Sequence, residues 1–361
     1  MDAPELFVTN FNPRYTGVSS TAARLIPHHA RRHALRLVGH PLPGCPAPIP
    51  AAEAARLCRT PPPGRPFAIW HVRRNPEMRV ALWLRDVRRL PIRLVFTSAS
   101  QRRHSAYPRW LIGRMDAVIA TSPGAAAFVR ADATIPHGVD TARFVPDPAA
   151  TPAAAGLAGT RAIVAVGRLR PGKGTDLFVE AAMRLLPRHP GLVAVACGRA
   201  QPRHARFVEG LKAKAAAAGL GDRILWPGDV PAERMPALLA ACDLMLTLPR
   251  SEPYGVTPLE GMAAGLPFVA SDTGAFRSFA EAAPDDEACG VIVPPGEEGL
   301  DAAAAAADAI LSDPARHAAM RRTARAVAVE RFSIKGEAAG IEEVYRRLWA
   351  GEIGSARSGR A

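Results

Sequence analysis

The chain has 361 residues, 48% hydrophobic and 22% charged, with a mean hydropathy of +0.01. At roughly 150 residues per domain it is too long for one core and points to two, and it has no run of about 20 apolar residues to span a bilayer. The opening MDAPELFVTNFNPRY has acids and no apolar core segment, which speaks against a secretory leader, and five scattered cysteines (Cys45, Cys58, Cys197, Cys242, Cys289) form no C-x-x-C, so neither a disulfide framework nor a zinc site organises the chain. These features suit a cytoplasmic protein.

The net charge of +13 is unevenly placed. Residues 1–145 hold 21 Arg, no Lys and 8 acids, whereas the remainder holds 25 basic and 25 acidic residues. A general preference for Arg over Lys explains the residue choice but not this asymmetry. A one-sided field implies a polyanionic partner for the first half: nucleic acid, an anionic membrane surface or an acidic saccharide.

In chain order, LFVTN (6–10) reads as a strand, followed by a helix from Ser19 to about Arg32. LRLVG (35–39), FAIWHV (67–72), IRLVFTS (92–98), AVIATS (117–122) and ATIP (133–136) continue the strand series, and the proline-heavy 41–66 reads as a long loop around a short helix. DPAATPAAAGLAG (147–159) reads as a linker. The alternation then restarts with RAIVAV (161–166), LVAVAC (192–197), RILW (223–226), DLMLTL (243–248), PFVAS (267–271) and GVIVP (290–294). The alanine run at 302–307 is plain helix, 334–350 is an amphipathic helix, and the tail from 353 reads as disordered. This pattern predicts an α/β protein of two Rossmann-like, doubly wound domains, 1–145 and 146–334. Such domains face each other across a cleft lined by the carboxyl ends of their strands.

Two loops carry chemistry. Gly167-Arg168-Leu169-Arg170-Pro171-Gly172-Lys173-Gly174 lies between a strand and a helix. Its glycines admit close approach of a ligand, Arg168 can fork onto phosphate oxygens and Lys173 adds a point charge. It is not a P-loop, because Gly174 follows the lysine. The second loop, Ser251-Glu252-Pro253-Tyr254-Gly255-Val256-Thr257-Pro258-Leu259-Glu260, follows DLMLTL and reads as a helix start from Gly255. Amides of Gly255, Val256 and Thr257 suit an anion, while Glu252 and Glu260 suit sugar hydroxyls better than phosphates. Together they suggest a nucleotide sugar.

GRLRPGKG followed by E-x7-E within EPYGVTPLEGMAAGLPFVAS, with IPHGVDTARF (135–144) before both, resembles the family 4 retaining nucleotide-sugar glycosyltransferases of the GT-B fold. WHVRRNPEM (70–78) and FTSASQRRHSAYPRWLIGRMDAVIATS (96–122) are similar to the bacterial lipopolysaccharide core mannosyltransferases that use GDP-mannose. The resemblance implies that Arg168 and Lys173 hold the donor diphosphate, that Glu252 binds donor-sugar hydroxyls and Glu260 the ribose, and that Gly167, Tyr254, Gly255, Val256 and Thr257 complete the donor site. Thr16-Gly17-Val18 stands where the family has a glycine pair, so Gly17 and Val18 join that set. The family histidine has Ala99-Ser100 in its place; His104 and His71 are rival substitutes, and His137 is expected to shape a turn.

Arg73, Arg74, Arg102 and Arg103, beside His71, should form a rim for an anionic glycolipid acceptor, an acidic inner-core sugar of Kdo type on a phosphorylated lipid. The wider arginine excess would hold the enzyme as a peripheral protein on the cytoplasmic face of an anionic inner membrane. No D-x-D occurs, Asp285-Asp286-Glu287 reads as an exposed loop, and no metal or other cofactor is expected. The resemblance further implies retention of anomeric configuration and a C-terminal helix, 335–352, that crosses back to the first domain. A UDP-sugar donor acting on another anionic glycan is the alternative. A nucleic-acid-binding role is disfavoured by the scattered aromatics Trp70, Tyr107 and Trp110, and an epimerase or a silent relative by the intact Arg168, Lys173, Glu252 and Glu260.

Overall fold

The computed structural model describes residues 3–354, so most of the tail expected to be disordered lies outside the described residues. The described chain divides into two units, residues 3–137 with 334–354 and residues 138–333. The break therefore falls at His137/Gly138 and not at 145/146. Val139 and Phe144 are buried in a core of the second unit with Leu157, so 138–145 and the expected linker belong to that unit.

The first unit is a six-stranded parallel sheet of β1 (Leu6–Asn10), β2 (Leu35–Gly39), β3 (Ala68–Val72), β4 (Ile92–Ser98), β5 (Ala117–Ala120) and β6 (Ala133–Thr134), in the order β2-β1-β3-β4-β5-β6. β1 and β3 are buried along their whole length, as continuous apolar runs in a sheet covered on both faces should be. The helix Ile334–Trp349 packs here. Ile334, Ala338, Ile341, Tyr345 and Leu348, spaced three and four apart, enter the core formed by Leu6, Leu25 and Ile119.

The second unit repeats the plan with β7 (Arg161–Val166), β8 (Leu192–Cys197), β9 (Ile224–Gly228), β10 (Leu244–Thr247), β11 (Phe268–Ser271) and β12 (Gly290–Val293), ordered β12-β11-β10-β7-β8-β9. Its helices include Leu300–Ser312, which contains the alanine run, and Pro314–Arg331, capped by the Asp313 side chain on the Arg316 amide. Each sheet has one point where the strand order reverses, between β1 and β3 in the first unit and between β7 and β10 in the second. Loops leaving the two strands at such a point diverge and open a crevice at the carboxyl edge.

Candidate active site

In the second unit that crevice is built from the two loops singled out in the sequence. The loop after β7 is pinned to the end of β8 by Gly167 N–H donating to Cys197 C=O (2.9 Å) and Leu169 N–H to Arg199 C=O (3.1 Å). It then makes a single 3₁₀ turn, Pro171–Lys173, and enters the helix Thr175–Leu185 through Gly174 at φ +67°. A Cβ on Gly174 would lie 1.8 Å from the Leu248 carbonyl oxygen, so only glycine lets this loop rest on the backbone leaving β10. Buried Thr175 ties the turn: its hydroxyl accepts from Arg170 N–H at 3.0 Å.

Arg250, which the sequence reading passed over, locks the two loops together. Its guanidinium donates to Pro171 C=O (2.6 Å) and forks onto both Asp176 carboxylate oxygens (2.9 and 2.7 Å), with a further bond to Glu297 (2.5 Å). These bonds, above all those to Asp176, raise its pKa further above the ordinary arginine value. Nothing local marks the pair, since Arg250 lies on the loop after β10 and Asp176 in the first turn of the helix Thr175–Leu185, far apart in the chain.

On this frame Lys173 donates to Glu252, with side chains 25% and 13% exposed. Gly167, Arg168, Lys173, Glu252, Gly255 and Thr257 line one pocket, where the Lys173 ammonium meets the Glu252 carboxylate. Glu252 is seated by Gly255, whose φ of +88° and missing side chain let Phe276 and the Glu252 Cγ close over it. The same φ corrects the expected helix start: the helix is Thr257–Ala263, with Val256 as its N-cap. In the first turn Pro258 has no N–H and the Leu259 and Glu260 N–H groups donate to the Val256 carbonyl (3.0 and 3.3 Å), so it is the Thr257 N–H that heads the helix without an intrahelical acceptor.

Three expected donor residues stand off the pocket wall. Tyr254 is buried, packed edge-on against Phe279 at 5.6 Å, and its carbonyl accepts from Ala275 N–H. Val256 is half-buried against the same apolar core. Glu260 is half-buried in the first helical turn and is not among the residues lining this pocket.

In the first unit, the reversal between β1 and β3 is held by another residue the sequence reading did not single out. Fully buried Glu77 accepts from the Thr9 hydroxyl (3.0 Å) and the N–H groups of Phe11 (3.2 Å), Arg73 (2.7 Å) and Arg74 (3.1 Å). Arg74 pairs with Glu77 at 3.1 Å and donates to Asn10 (3.1 Å), Thr16 (3.0 Å) and Ser19 (2.8 Å). It is therefore a brace for the loop after β1 and not a rim cation. Thr16 caps the helix Gly17–Ala30, which places Gly17 and Val18 in an exposed first turn.

His71 also departs from expectation. It is completely buried, with Nδ1 2.5 Å from the Tyr345 hydroxyl and Nε2 2.7 Å from the Thr97 hydroxyl, and burial pushes its pKa well below the ordinary histidine value. It joins β3, β4 and the last helix and has no face for a ligand. His137 is buried and bonds Glu337 of the last helix at 2.7 Å. Arg73 is buried, with Nη1 lacking a partner among the described residues, and burial lowers its pKa. Arg102 and Arg103 are exposed, and His104 beside them is half-buried, its Nε2 unpartnered among the described residues and its pKa lowered by burial and then by Arg102. Among the described residues no cluster of three or more His, Cys, Asp or Glu could hold a metal ion, and no helix is long and apolar enough to cross a membrane.

The family model for glycosyl transferases group 1 matches residues 153–327, which contain the whole of this pocket. The chain is 41% identical over 351 residues to the lipopolysaccharide core biosynthesis mannosyltransferase LpsB of Rhizobium meliloti (strain 1021), covering 95% of this chain and 97% of that one. It is likewise 41% identical over 350 residues to the lipopolysaccharide core biosynthesis mannosyltransferase LpcC of Rhizobium leguminosarum bv. viciae, covering 95% and 96%. Among solved structures, Anabaena HepE in complex with UDP and glucose shares the fold, with a TM-score of 0.77 at 18% identity over 95% of this chain and 99% of that one. The chain belongs to this glycosyltransferase family and is an enzyme with the two-domain GT-B fold.

Proposed function

We propose that this glycosyltransferase is a mannosyltransferase of lipopolysaccharide core assembly, moving mannose from GDP-mannose onto an acidic inner-core sugar of a phosphorylated glycolipid with retention of configuration. The observation that carries the donor half is the meeting of Arg168, Lys173 and Glu252 on one pocket at the β7/β10 reversal. The names of the two relatives covering nearly the whole chain support the sugar and the setting.

The donor bond is already activated, so the protein has to place the acceptor hydroxyl and stabilise the charge that grows on the departing diphosphate. Arg168 and Lys173 meet that charge, aided by the Thr257 N–H at the head of the helix Thr257–Ala263. The Lys173–Glu252 pair holds ammonium and carboxylate side by side, so the phosphate meets the first and a sugar hydroxyl the second. Both cations are protein side chains, and the transfer needs no divalent metal. In the first unit, Arg73, Arg102 and Arg103 take the acceptor's anionic groups, and His104 takes the place of the family histidine. The enzyme works as a peripheral protein on the cytoplasmic face of the inner membrane.

Thermal shifts with GDP, GDP-mannose, UDP and UDP-glucose, together with GDP-mannose hydrolysis with and without EDTA, test this reading. Guanosine ligands should raise the melting temperature and uridine ligands should not, with turnover unaffected by EDTA. A shift confined to uridine ligands overturns the donor, and turnover abolished by EDTA overturns the metal-free chemistry. Charge reversal at Arg102 and Arg103 should raise the acceptor KM and leave the donor KM alone; an equal rise in both refutes the acceptor assignment.

A further inference from the structure

Two neighbouring helices of the first unit expose large apolar side chains where a soluble surface would carry polar ones. Asn75–Leu82 continues as a π-helical turn Trp83–Val87, and Ala106–Gly113 packs beside it. Their inner faces are ordinary core, with Met78, Ala81, Leu111 and Ile112 buried. Their outer faces present Trp83 (48% exposed), Val87 (64%), Tyr107 (49%) and Trp110 (55%). Tyr107 and Trp110 stack at 6.2 Å, Arg88 lies over Trp83 and Arg114 over Trp110, both at 5.4 Å. Arg114 also bonds Asp86, the neighbour of Val87, at 2.9 Å, which joins the two exposed faces into one patch.

The charge around this patch has one sign. Residues 75–114 contain nine arginines and two acids. Of the acids, Glu77 is fully buried and Asp86 is bound by Arg85 and Arg114. Tryptophan and tyrosine with an apolar body and a polar edge prefer the headgroup region of a bilayer, and arginines around them are drawn to anionic headgroups.

We propose that Trp83, Val87, Tyr107 and Trp110, with Arg88, Arg89 and Arg109 around them, form the surface by which the first unit docks in the plane of an anionic membrane. This rests on the reading of the acceptor as a lipid and adds the part of the molecule that meets the bilayer. The aromatics enter the headgroup layer while the arginines pair with lipid phosphates, an interfacial attachment that needs no spanning helix.

The test is co-sedimentation of the full chain with vesicles of phosphatidylcholine alone and of phosphatidylcholine mixed with phosphatidylglycerol, with GDP thermal shift measured in parallel. Wild type should bind the mixed vesicles, with its tryptophan emission moving to the blue. W83S/W110S should bind them at least about tenfold more weakly, from the lost apolar burial. R88E/R109E should fall by at least about twenty-fold, at about fivefold per charge near the surface. Both variants should keep the wild-type GDP shift and melting temperature. W83S/W110S binding as wild type does, equal binding to the two vesicle types, or loss of self-association in place of vesicle binding would each overturn the proposal, the last by making a second copy the occupant. Vesicle binding without any GDP shift in wild type would sustain the patch and overturn the donor assignment instead.

Discussion

Gly255→Ala probes the geometry on which the pocket depends. At φ +88° an added Cβ would stand 2.1 Å from Phe276 Cε1, 2.5 Å from Cζ and 3.1 Å from the Glu252 Cγ. Phe276 is 1% exposed and packs against Phe279 at 6.1 Å, so its ring has little room to turn aside. Holding a non-glycine residue in the left-handed region costs about 1–2 kcal/mol, and overpacking a filled core about 1–3 more. The sum, about 2–5 kcal/mol, corresponds to a fall of roughly 5–15 °C in the melting temperature of a unit of this size. Relief by displacement of the Glu252 side chain would preserve part of that stability at the expense of donor turnover. Gly172→Ala is the control, since its φ is ordinary and the only atom near an added Cβ is the Arg170 guanidinium carbon at 3.9 Å; its effect should stay within about 0.5 kcal/mol. Scanning calorimetry and GDP-mannose hydrolysis read both variants. A Gly255→Ala protein that melts and turns over like wild type would refute the claim that close approach at this glycine sets the position of Glu252.

Glu252→Gln and Lys173→Gln should each lower turnover by about 10²–10³ while costing no more than about 1 kcal/mol of stability, and a double-mutant cycle on turnover should be strongly non-additive; additive losses would separate the two residues. Glu77→Gln turns an amide toward three backbone N–H donors and should cost about 2–4 kcal/mol by denaturant titration, leaving GDP binding in the other unit intact; a change below 0.5 kcal/mol, the spread of neutral surface substitutions, would contradict the bracing role. Burial lowers the His29 pKa to about 4, so the native state favours the neutral ring while the unfolded chain takes up a proton near 6.5. Its contribution to stability is therefore complete above about pH 6.5 and is lost as the pH falls toward 4, by about 3 kcal/mol in total. His29→Gln should flatten the stability profile in that window, and an unchanged slope would rule out His29 as its source.

Much of the fold was legible because its strands are buried on both faces. LFVTN, LRLVG, IRLVFTS, RAIVAV and LVAVAC coincide with β1, β2, β4, β7 and β8, since a covered parallel strand draws short, mainly apolar and β-branched stretches. Helix ends were less legible. The start at Thr257 in place of Gly255 turns on a positive φ imposed by Phe276, a residue some twenty positions on. The unit boundary shifted for a similar reason: composition marks 147–159 as linker-like, but Val139 and Phe144 find their apolar partners in the second unit's core.

Within the site, loop chemistry and the family resemblance pointed to Arg168, Lys173, Glu252, Gly255 and Thr257, and these line one pocket because the loops after β7 and β10 are delivered to one sheet edge. Which neighbours a polar side chain meets was settled only in three dimensions. Arg74 and His71 look alike in sequence as polar residues at the end of β3, but one braces the loop after β1 and the other is sealed beneath Tyr345. Arg250 carries no local signal, because its partners are brought there by the crossing of strands. Glu77, by contrast, takes the Arg73 and Arg74 amides locally at its helix start and meets Thr9 and Phe11 only in the folded sheet edge. Short-range propensity and burial pattern are written along the chain, whereas the pairing of charges is a property of the folded sheet edge.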